Sequence, residues 1–424
     1  MRGTKRMVTY SAIAAGLVAL LAGCGTGSTS AGVVGNTTIK ICSELPVSGA
    51  DTSSGKPTEN GVALAIKLAN DKKTIPGYTL VHVPYDDVGP SGTHDGPTGA
   101  TNIRAAIGDA LIAACVGPFN SAVAQAEMPL ANYAPLALIS PSNTNPSLTK
   151  PSYGALGTLR PTNKVTYFRV STTDDKQGPA NADYLYKTLN LRNVYIIDDT
   201  EVYGKGIADT FQAEWTTLGG KVLGRVGLDK THTDFKPELT AAAALHPDVI
   251  YYGGTDSDGG TLVRQQMGSV SGLENTVYAG GDGLDTDSFA KTTGAAGNGT
   301  IATVASVNPS LLPTFTNFKA DFTKQYPNAS DYGDYSANAY DAANIEIQAI
   351  KAALANGAHN AKDANDRAGA NVFRQAVIDQ IAKTNYQGVT GKTSFDANGD
   401  TTNRWISIFK LESGTWNFVT QLQV

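Results

Sequence analysis

Residues 111–140 read LIAACVGPFNSAVAQAEMPLANYAPLALIS and contain one complete strand–helix–strand pattern. The apolar run Leu111–Val116 ends at Gly117-Pro118, and the segment Ser121–Tyr133 that follows has helical periodicity. A second short apolar run, Leu136–Ile139, comes next. Short buried strands that alternate with helices of about a dozen residues are typical of parallel βαβ units. This stretch therefore predicts an α/β fold.

The same alternation occupies most of the chain and falls into two blocks, with a break near Ser171–Lys176. The C-terminal third adds two predicted helices, Asp334–Leu354 and Ala370–Lys383, and a hairpin turned at Ser413-Gly414. Two α/β units are therefore expected. Ligands of open parallel sheets bind beyond the carboxyl ends of the strands, so two facing units would enclose a small molecule.

Composition limits the function classes. The chain has 424 residues, of which 41% are apolar and 17% charged, so it is globular and long enough for two domains. Its formal net charge is -5, and removal of a leader with Arg2, Lys5 and Arg6 would take it to -8. An acidic chain lacks the positive surface that nucleic-acid binding requires. No nucleic-acid partner is expected.

The N-terminus has the pattern of an exported lipoprotein. Three cations precede the apolar run Ala12–Ala22, which is too short to span a bilayer, and Leu21-Ala22-Gly23-Cys24 resembles a bacterial lipobox. That resemblance implies a signal peptide over 1–23 and lipid on Cys24. Residues 24–38 are mostly small or polar and are predicted to form a flexible tether. The alternative is an ordinary signal with a chance cysteine.

Cys42 and Cys115 each lie within an apolar strand. An exported chain meets an oxidising environment, so either a disulfide or two buried free thiols fit the sequence. Neither cysteine has a neighbouring His or second Cys, so a metal site is not predicted.

Signals for catalysis are weak. Neither a Gly-x-Ser-x-Gly elbow nor a phosphate-binding loop occurs, and none of the five histidines belongs to a recognisable motif. Asp396–Asp400 resembles part of a calcium loop, but its glycine is misplaced and no Glu completes it. No enzymatic activity, cofactor or metal is expected.

Polar side chains instead follow the predicted strands. Ser121 begins a helix after one strand, and hydroxyls and amides at residues 140–146 follow the next. A carboxylate between these loops would meet backbone N–H groups and hydroxyls together. In the second block, Asp282 follows a strand and has the charge to bind an ammonium. The simpler alternatives are that Ser121 only caps its helix and that Asp282 only forms a turn.

Taken together, these segments resemble the type I periplasmic binding proteins, specifically the leucine/isoleucine/valine-binding proteins of ABC importers. The resemblance covers about Ile39 to Val424. The order and spacing of the following stretches carry it: Leu45–Gly49, Asn60–Ala65, Tyr85–Asp87, Val116–Ser121, Ile139–Thr144, Phe168–Val170, Lys176–Pro179, Tyr203–Gly206, Ile250–Gly254, Ala339–Ala342 and Phe395–Asp400.

The resemblance implies two doubly wound parallel-sheet lobes joined by three crossovers, near Thr173, Ser306 and Val389. Lobe 1 would comprise 39–173 and 306–389, and lobe 2 would comprise 174–305 and 390–424.

The resemblance also implies a ligand site. Ser121 matches the residue that holds the ligand α-carboxylate, and Asp282 matches the acidic partner of the ammonium, usually Glu. The other matching positions are Ser142 and Thr144 at the carboxylate, Tyr203 as an aromatic wall, Ser54 and Thr255 where the family has aromatic residues, and Phe119 and Tyr335 as partial replacements for them. With fewer apolar walls, the pocket is not restricted to a branched-chain ligand.

The function expected from this resemblance is a monomeric, lipid-anchored extracytoplasmic receptor that closes around an amino acid, branched-chain or related, and delivers it to ABC permease subunits. Two alternatives remain open. One is a receptor for an amide, urea or another small polar solute, and the other is a sensor domain that reports occupancy to a signalling partner. A secreted hydrolase would need a nucleophile–base motif, which the sequence lacks.

Overall fold

This computed structural model describes residues 36–154 and 156–424. The expected signal peptide 1–23, its lipidation site Cys24 and the tether up to residue 35 lie outside the described residues. Within the described residues, no helix is both long enough and apolar enough to cross a membrane.

The strands form two large sheets and one short hairpin. The strands are β1 (Thr38–Leu45), β2 (Thr79–Asp86), β3 (Ile112–Val116), β4 (Ala137–Ser140), β5 (Tyr167–Arg169), β6 (Asn193–Asp198), β7 (Lys221–Gly227), β8 (Val249–Gly253), β9 (Val277–Gly280), β10 (Ile301–Val304), β11 (Tyr386–Gly388), β12 (Gly391–Thr393), β13 (Trp405–Glu412) and β14 (Thr415–Gln423). The α-helices are α1 (Thr52–Asp71), α2 (Gly96–Gly108), α3 (Ser121–Tyr133), α4 (Leu156–Leu159), α5 (Asp174–Asp183), α6 (Val202–Thr217), α7 (Lys236–Ala243), α8 (Thr261–Met267), α9 (Asp287–Thr293), α10 (Phe315–Gln325), α11 (Ser336–Ala355) and α12 (Arg367–Ile381).

The first sheet has the strand order β2-β1-β3-β4-β5, and every pairing in it is parallel. Helices α1, α11 and α12 cover one face, where Ile41 packs with Val62 and Ile345. Helices α2 and α3 cover the other face, where Ile103 and Met128 lie in one buried cluster. Burial on both faces explains the continuous apolar runs of these strands. We call this sheet and its helices the first lobe.

The second sheet has the order β14-β13-β10-β9-β8-β6-β7. Phe211 and Trp215 of α6 pack on one face, and Leu239 of α7 and Phe289 of α9 pack on the other. Strands β6–β10 are mutually parallel, whereas β13 is antiparallel to both β10 and β14. The expected α/β class with two sheets is confirmed. The hairpin expected at Ser413-Gly414 is confirmed as β13 and β14, whose short turn makes an antiparallel pair at the edge of this mostly parallel sheet.

The second sheet and its helices form the second lobe. The chain passes between the two lobes in three segments. The segments lie between β5 and α5, between β10 and α10, and between β12 and β13. The fully buried Arg169 at the end of β5 binds Asp400 of the third segment, with its Nε 2.7 Å from Oδ1. Its guanidinium also donates to the carbonyl of Asn145 at 2.8 Å. This pair therefore fixes one connecting segment to the first sheet.

Cys42 on β1 and Cys115 on β3 are partners in the register of two adjacent strands. Their Cα atoms are 4.4 Å apart, and the structure joins them as a disulfide. The bond lies within the cluster between the first sheet and helices α2 and α3.

Candidate functional site

A cavity of about 300 Å³ is lined by residues of both lobes, and we call it the interlobe cavity. Its lining comes from the first turns of α1, from loops after β3, β4, β8 and β9, from α6, from the segment before α11, and from the β13–β14 turn. Most of these loops follow the carboxyl ends of parallel strands, where α/β sheets bind ligands.

All nine side chains expected at a ligand line this cavity. They are Ser54, Phe119, Ser121, Ser142, Thr144, Tyr203, Thr255, Asp282 and Tyr335. The sequence separates the first and last of them by most of the chain, and the two sheets bring them together.

The hydroxyl of Ser121 is free to bind a ligand. Ser121 is the first residue of α3, and its Oγ atom is buried with no hydrogen-bond partner among the described residues. The expectation that Ser121 caps this helix is wrong by one position, because Asn120 is the N-cap. Asn120 makes no side-chain cap bond, so the first N–H groups of α3 also remain available.

The loop after β4 also lines the cavity, through Ser142 and Thr144. Ser142 Oγ donates to the carbonyl of Phe119 at 2.9 Å, so this hydroxyl is already committed. Burial and the charge of Asp282 raise the pKa of the neighbouring carboxyl of Asp174 well above its ordinary value, and the hydroxyl of Thr144 lowers that pKa in part.

Asp282 lies just after β9 and accepts three hydrogen bonds. Gln177 Nε2 and the Tyr203 hydroxyl donate to Oδ1 at 2.8 and 2.9 Å, and the Tyr335 hydroxyl donates to Oδ2 at 2.8 Å. Burial raises the pKa of Asp282, and the bonds from Tyr335, Gln177 and Tyr203 lower it in part. The next residue must be glycine, because a Cβ on Gly283 would lie 2.5 Å from a backbone oxygen.

Aromatic rings supply much of the remaining wall. Phe119 and Tyr335 meet edge to face with centroids 5.8 Å apart, and both line the interlobe cavity. Tyr335 precedes α11 of the first lobe, so its bond to Asp282 also joins the two lobes.

Five aspartates that the sequence reasoning missed as ligand residues also line the cavity: Asp51, Asp256, Asp285, Asp287 and Asp334. A signal for two of them was present, because residues 282–287 read DGLDTD directly after a predicted strand. Nothing in the local sequence marks Asp334, since the fold alone carries it to the cavity.

His94, one of the histidines without a recognisable motif, is 3% exposed and links the lobes. Its Nδ1 lies 3.1 Å from Asp51 of the first lobe, and its Nε2 lies 3.7 Å from Asp258 of the second. Lys230 of the second lobe donates to the His94 carbonyl at 3.2 Å. Burial opposes the charge, but the bond to Asp51 and the charges of Asp258 and Asp51 raise the pKa of His94 to about 9.

Comparison with known proteins agrees with this architecture. The model of a family described as periplasmic binding protein matches residues 38–415. A Leu/Ile/Val-binding protein from Rhizobium johnstonii is 29% identical over 370 residues, which are 87% of this chain and 90% of the relative.

Two solved structures share the fold. One is the substrate binding protein of a branched-chain amino acid transporter from Streptococcus pneumoniae, in complex with isoleucine, with a TM-score of 0.73 at 24% identity; it covers 91% of this chain and 99% of its own. The other is a solute binding protein of an ABC transporter from R. palustris, in complex with 4-hydroxybenzoate. Its TM-score is 0.74 at 18% identity, and the match covers 91% of this chain and 97% of the R. palustris chain.

Proposed function

The chain belongs to the periplasmic binding protein family, and from this premise we propose that it is the receptor of an ABC importer for an amino acid, branched-chain or related. The family and its named relatives are binding proteins, so this chain is a solute-binding protein and not an enzyme. Membership also implies an extracytoplasmic location.

One observation carries the amino-acid proposal. The interlobe cavity contains a half-buried acceptor for a cation, Asp282, and a free hydroxyl at a helix N-terminus, Ser121, which suits an anion. A zwitterion with an α-ammonium and an α-carboxylate matches both groups. The relative from Rhizobium johnstonii and the isoleucine complex from Streptococcus pneumoniae support the same ligand class.

An aromatic carboxylate, as in the R. palustris complex, suits this cavity less well. Among the described residues that line it, none is Lys, Arg or His, whereas six are Asp. An anion without an ammonium would leave those carboxylates uncompensated and would be repelled by them. A neutral amide or urea would leave Asp282 without its cation.

In this proposal the receptor works by lobe closure. A ligand that contacts Ser121 in the first lobe and Asp282 in the second stabilises the closed form by its differential affinity for that form. The permease subunits would then recognise the closed lobes. Lobe 1 at 39–173 and 306–389, lobe 2 at 174–305 and 390–424, a monomeric state and lipid anchoring through Cys24 belong to the same proposal.

The test is calorimetric titration of the dialysed protein with an α-amino acid and with the corresponding amide and α-hydroxy acid. The proposal requires that the amino acid binds more tightly than both analogues, since each analogue lacks one of the two charges. Equal binding of the amide would favour a receptor for neutral polar solutes.

A further inference from the structure

We propose that the solute carries a second cationic group, as a basic amino acid does, and that the carboxyls of Asp285 and Asp334 bind this group. This inference rests on the proposed amino-acid receptor and names its substrate class. It concerns a part of the interlobe cavity that the α-carboxylate and α-ammonium do not use.

The lining of the cavity is acidic, and its apolar surface comes from aromatic rings and not from aliphatic side chains. Among the described residues that line it, none is Ala, Val, Leu, Ile, Met or Pro, and the nonpolar surface comes from aromatic rings and glycines. Small-molecule sites bury apolar ligand groups against apolar side chains. A leucine or isoleucine side chain would pack on those rings but would give the remaining carboxyls of the lining no cation.

Some of the carboxylates already have partners. Asp51 accepts from His94, and Asp256 Oδ2 accepts from the Thr286 hydroxyl at 2.7 Å. Asp282 has its three donors and is assigned to the α-ammonium. Asp285 and Asp334, which we call the acidic pair, differ from these three.

The Oδ2 atoms of both members of the acidic pair are buried and accept no hydrogen bond from any described residue. Asp285 is 8% exposed and follows Asp282 by three residues, a separation that spans at most roughly 10 Å. Asp334 belongs to the segment before α11, whose helix packs on the first sheet. Other buried carboxylate oxygens of the described residues, such as those of Glu346, also have no hydrogen-bond partner, but among these carboxyls only Asp285 and Asp334 line the interlobe cavity. A ligand in the cavity can therefore supply the donors that both of them lack.

Burial and neighbouring carboxyls favour the protonated forms of both members of the acidic pair. Burial, with the charges of Asp334, Asp282 and Asp287, raises the pKa of Asp285 well above its ordinary value. Burial, with the charges of Asp282 and Asp287, raises the pKa of Asp334 to about 8. A cation between the two carboxyls would favour their ionised forms, so binding at neutral pH should release protons.

Aromatic rings beside the acidic pair suit the stem of such a ligand. Trp416 and Tyr332 both line the cavity, and Trp416 Nε1 donates to the carbonyl of Thr286, the neighbour of Asp285, at 3.1 Å. Methylene stems pack along aromatic faces, and those faces also attract ammonium and guanidinium groups.

Three matched ligands separate the contributions. L-Lysine has both cations, L-norleucine lacks the side-chain ammonium, and 1,5-diaminopentane lacks the α-carboxylate; L-arginine and L-leucine complete the series. We expect calorimetry of the dialysed protein to show L-lysine or L-arginine binding about 30-fold or more tighter than L-norleucine, the loss expected for one partner of a buried charge pair. Titration in two buffers with different ionisation heats should reveal proton release with the basic ligand.

Asp285→Asn and Asp334→Asn should each lower the ratio of L-lysine to L-norleucine affinity by about tenfold or more. Asp379→Asn on α12, an exposed carboxyl outside the cavity, is the matched control and should leave this ratio unchanged. Asn is a neutral isostere of the protonated carboxyl, and melting curves of each variant will verify that it folds.

The outcomes separate the two proposals. If L-norleucine or L-leucine binds as tightly as L-lysine, or if both Asn variants keep the lysine preference, the inference fails and the amino-acid receptor stands. If no α-amino acid binds, or if 1,5-diaminopentane matches L-lysine, the proposed function fails as well.

Discussion

Replacement of Asp282 by Asn is expected to abolish the preference of the receptor for an α-ammonium. The carboxylate accepts hydrogen bonds on both oxygens, from Gln177, Tyr203 and Tyr335. Asn keeps the shape of the side chain but removes its charge. Its NH2 group would also face a donor, because every protein partner of Asp282 donates.

The expected size of the effect follows from the burial of the site. Loss of one partner of a desolvated charge pair costs about 2–5 kcal/mol, or roughly 30-fold to several thousandfold in affinity. Tyr203→Phe is the matched control, because it removes one neutral donor to Asp282 and keeps the charge. Loss of that hydrogen bond should weaken binding by roughly tenfold.

The assay is calorimetry with an α-amino acid and the α-hydroxy acid that has the same side chain. The wild-type protein should favour the amino acid strongly, and Asp282→Asn should bind both ligands with similar, weak affinity. If Asp282→Asn binds the amino acid within about threefold of the wild type, or weakens both ligands equally, Asp282 does not bind an ammonium.

Four further predictions test other residues. Ser121→Ala should weaken amino-acid binding about ten- to a hundredfold by calorimetry and spare the amide, since a hydrogen bond to a charged group contributes roughly 1.5–3 kcal/mol; equal loss for acid and amide would contradict a carboxylate contact. Burial raises the pKa of Asp334 to about 8, so ionisation of this carboxyl destabilises the fold progressively as the pH rises from about 4 to 8. Asp334→Asn should therefore melt at a higher temperature than the wild type, by a margin that grows over this pH range; a constant margin would refute the shift in pKa. The pKa of His94 is raised from its ordinary value of 6.5 to about 9, so protonated His94 stabilises the fold fully below pH 6.5, and this stabilisation is lost as the pH rises through 9. His94→Gln should melt at a lower temperature than the wild type at pH 6, and at the same temperature above pH 9. Cys24→Ser should release the protein from salt-washed membranes, and retention there would exclude the lipid anchor.

The sequence was sufficient to predict the α/β class and most strands of the first sheet, because strands buried on both faces form uninterrupted apolar runs. The apolar periodicity of α1 does not extend to the first turn of the helix, which begins at Thr52. That turn includes Ser53 and Ser54, polar residues that line the cavity. The strand β10 has only four residues, too few to show a pattern that separates it from a loop.

The nine expected ligand positions follow strands or precede helices, where local pattern and family resemblance both provide a signal. Nothing in the sequence indicated that the two members of the acidic pair lie close together. Asp285 and Asp334 are 49 residues apart in the sequence, and only the packing of α11 on the first sheet brings Asp334 to the second lobe. Their missing hydrogen bonds are a property of three-dimensional packing, which composition and spacing do not encode.

The hydrogen bond between Tyr335 and Asp282 would affect how much ATP an importer with this receptor consumes when no solute is bound. It joins the lobes through protein groups alone, as do the contacts of His94 and Lys230. An empty receptor with such contacts visits the closed form, and the solute changes only the ratio of the two forms. A permease that recognised closure alone would then consume ATP on empty receptors. The strength of these solute-independent contacts therefore sets a limit on how tightly transport can be coupled to supply.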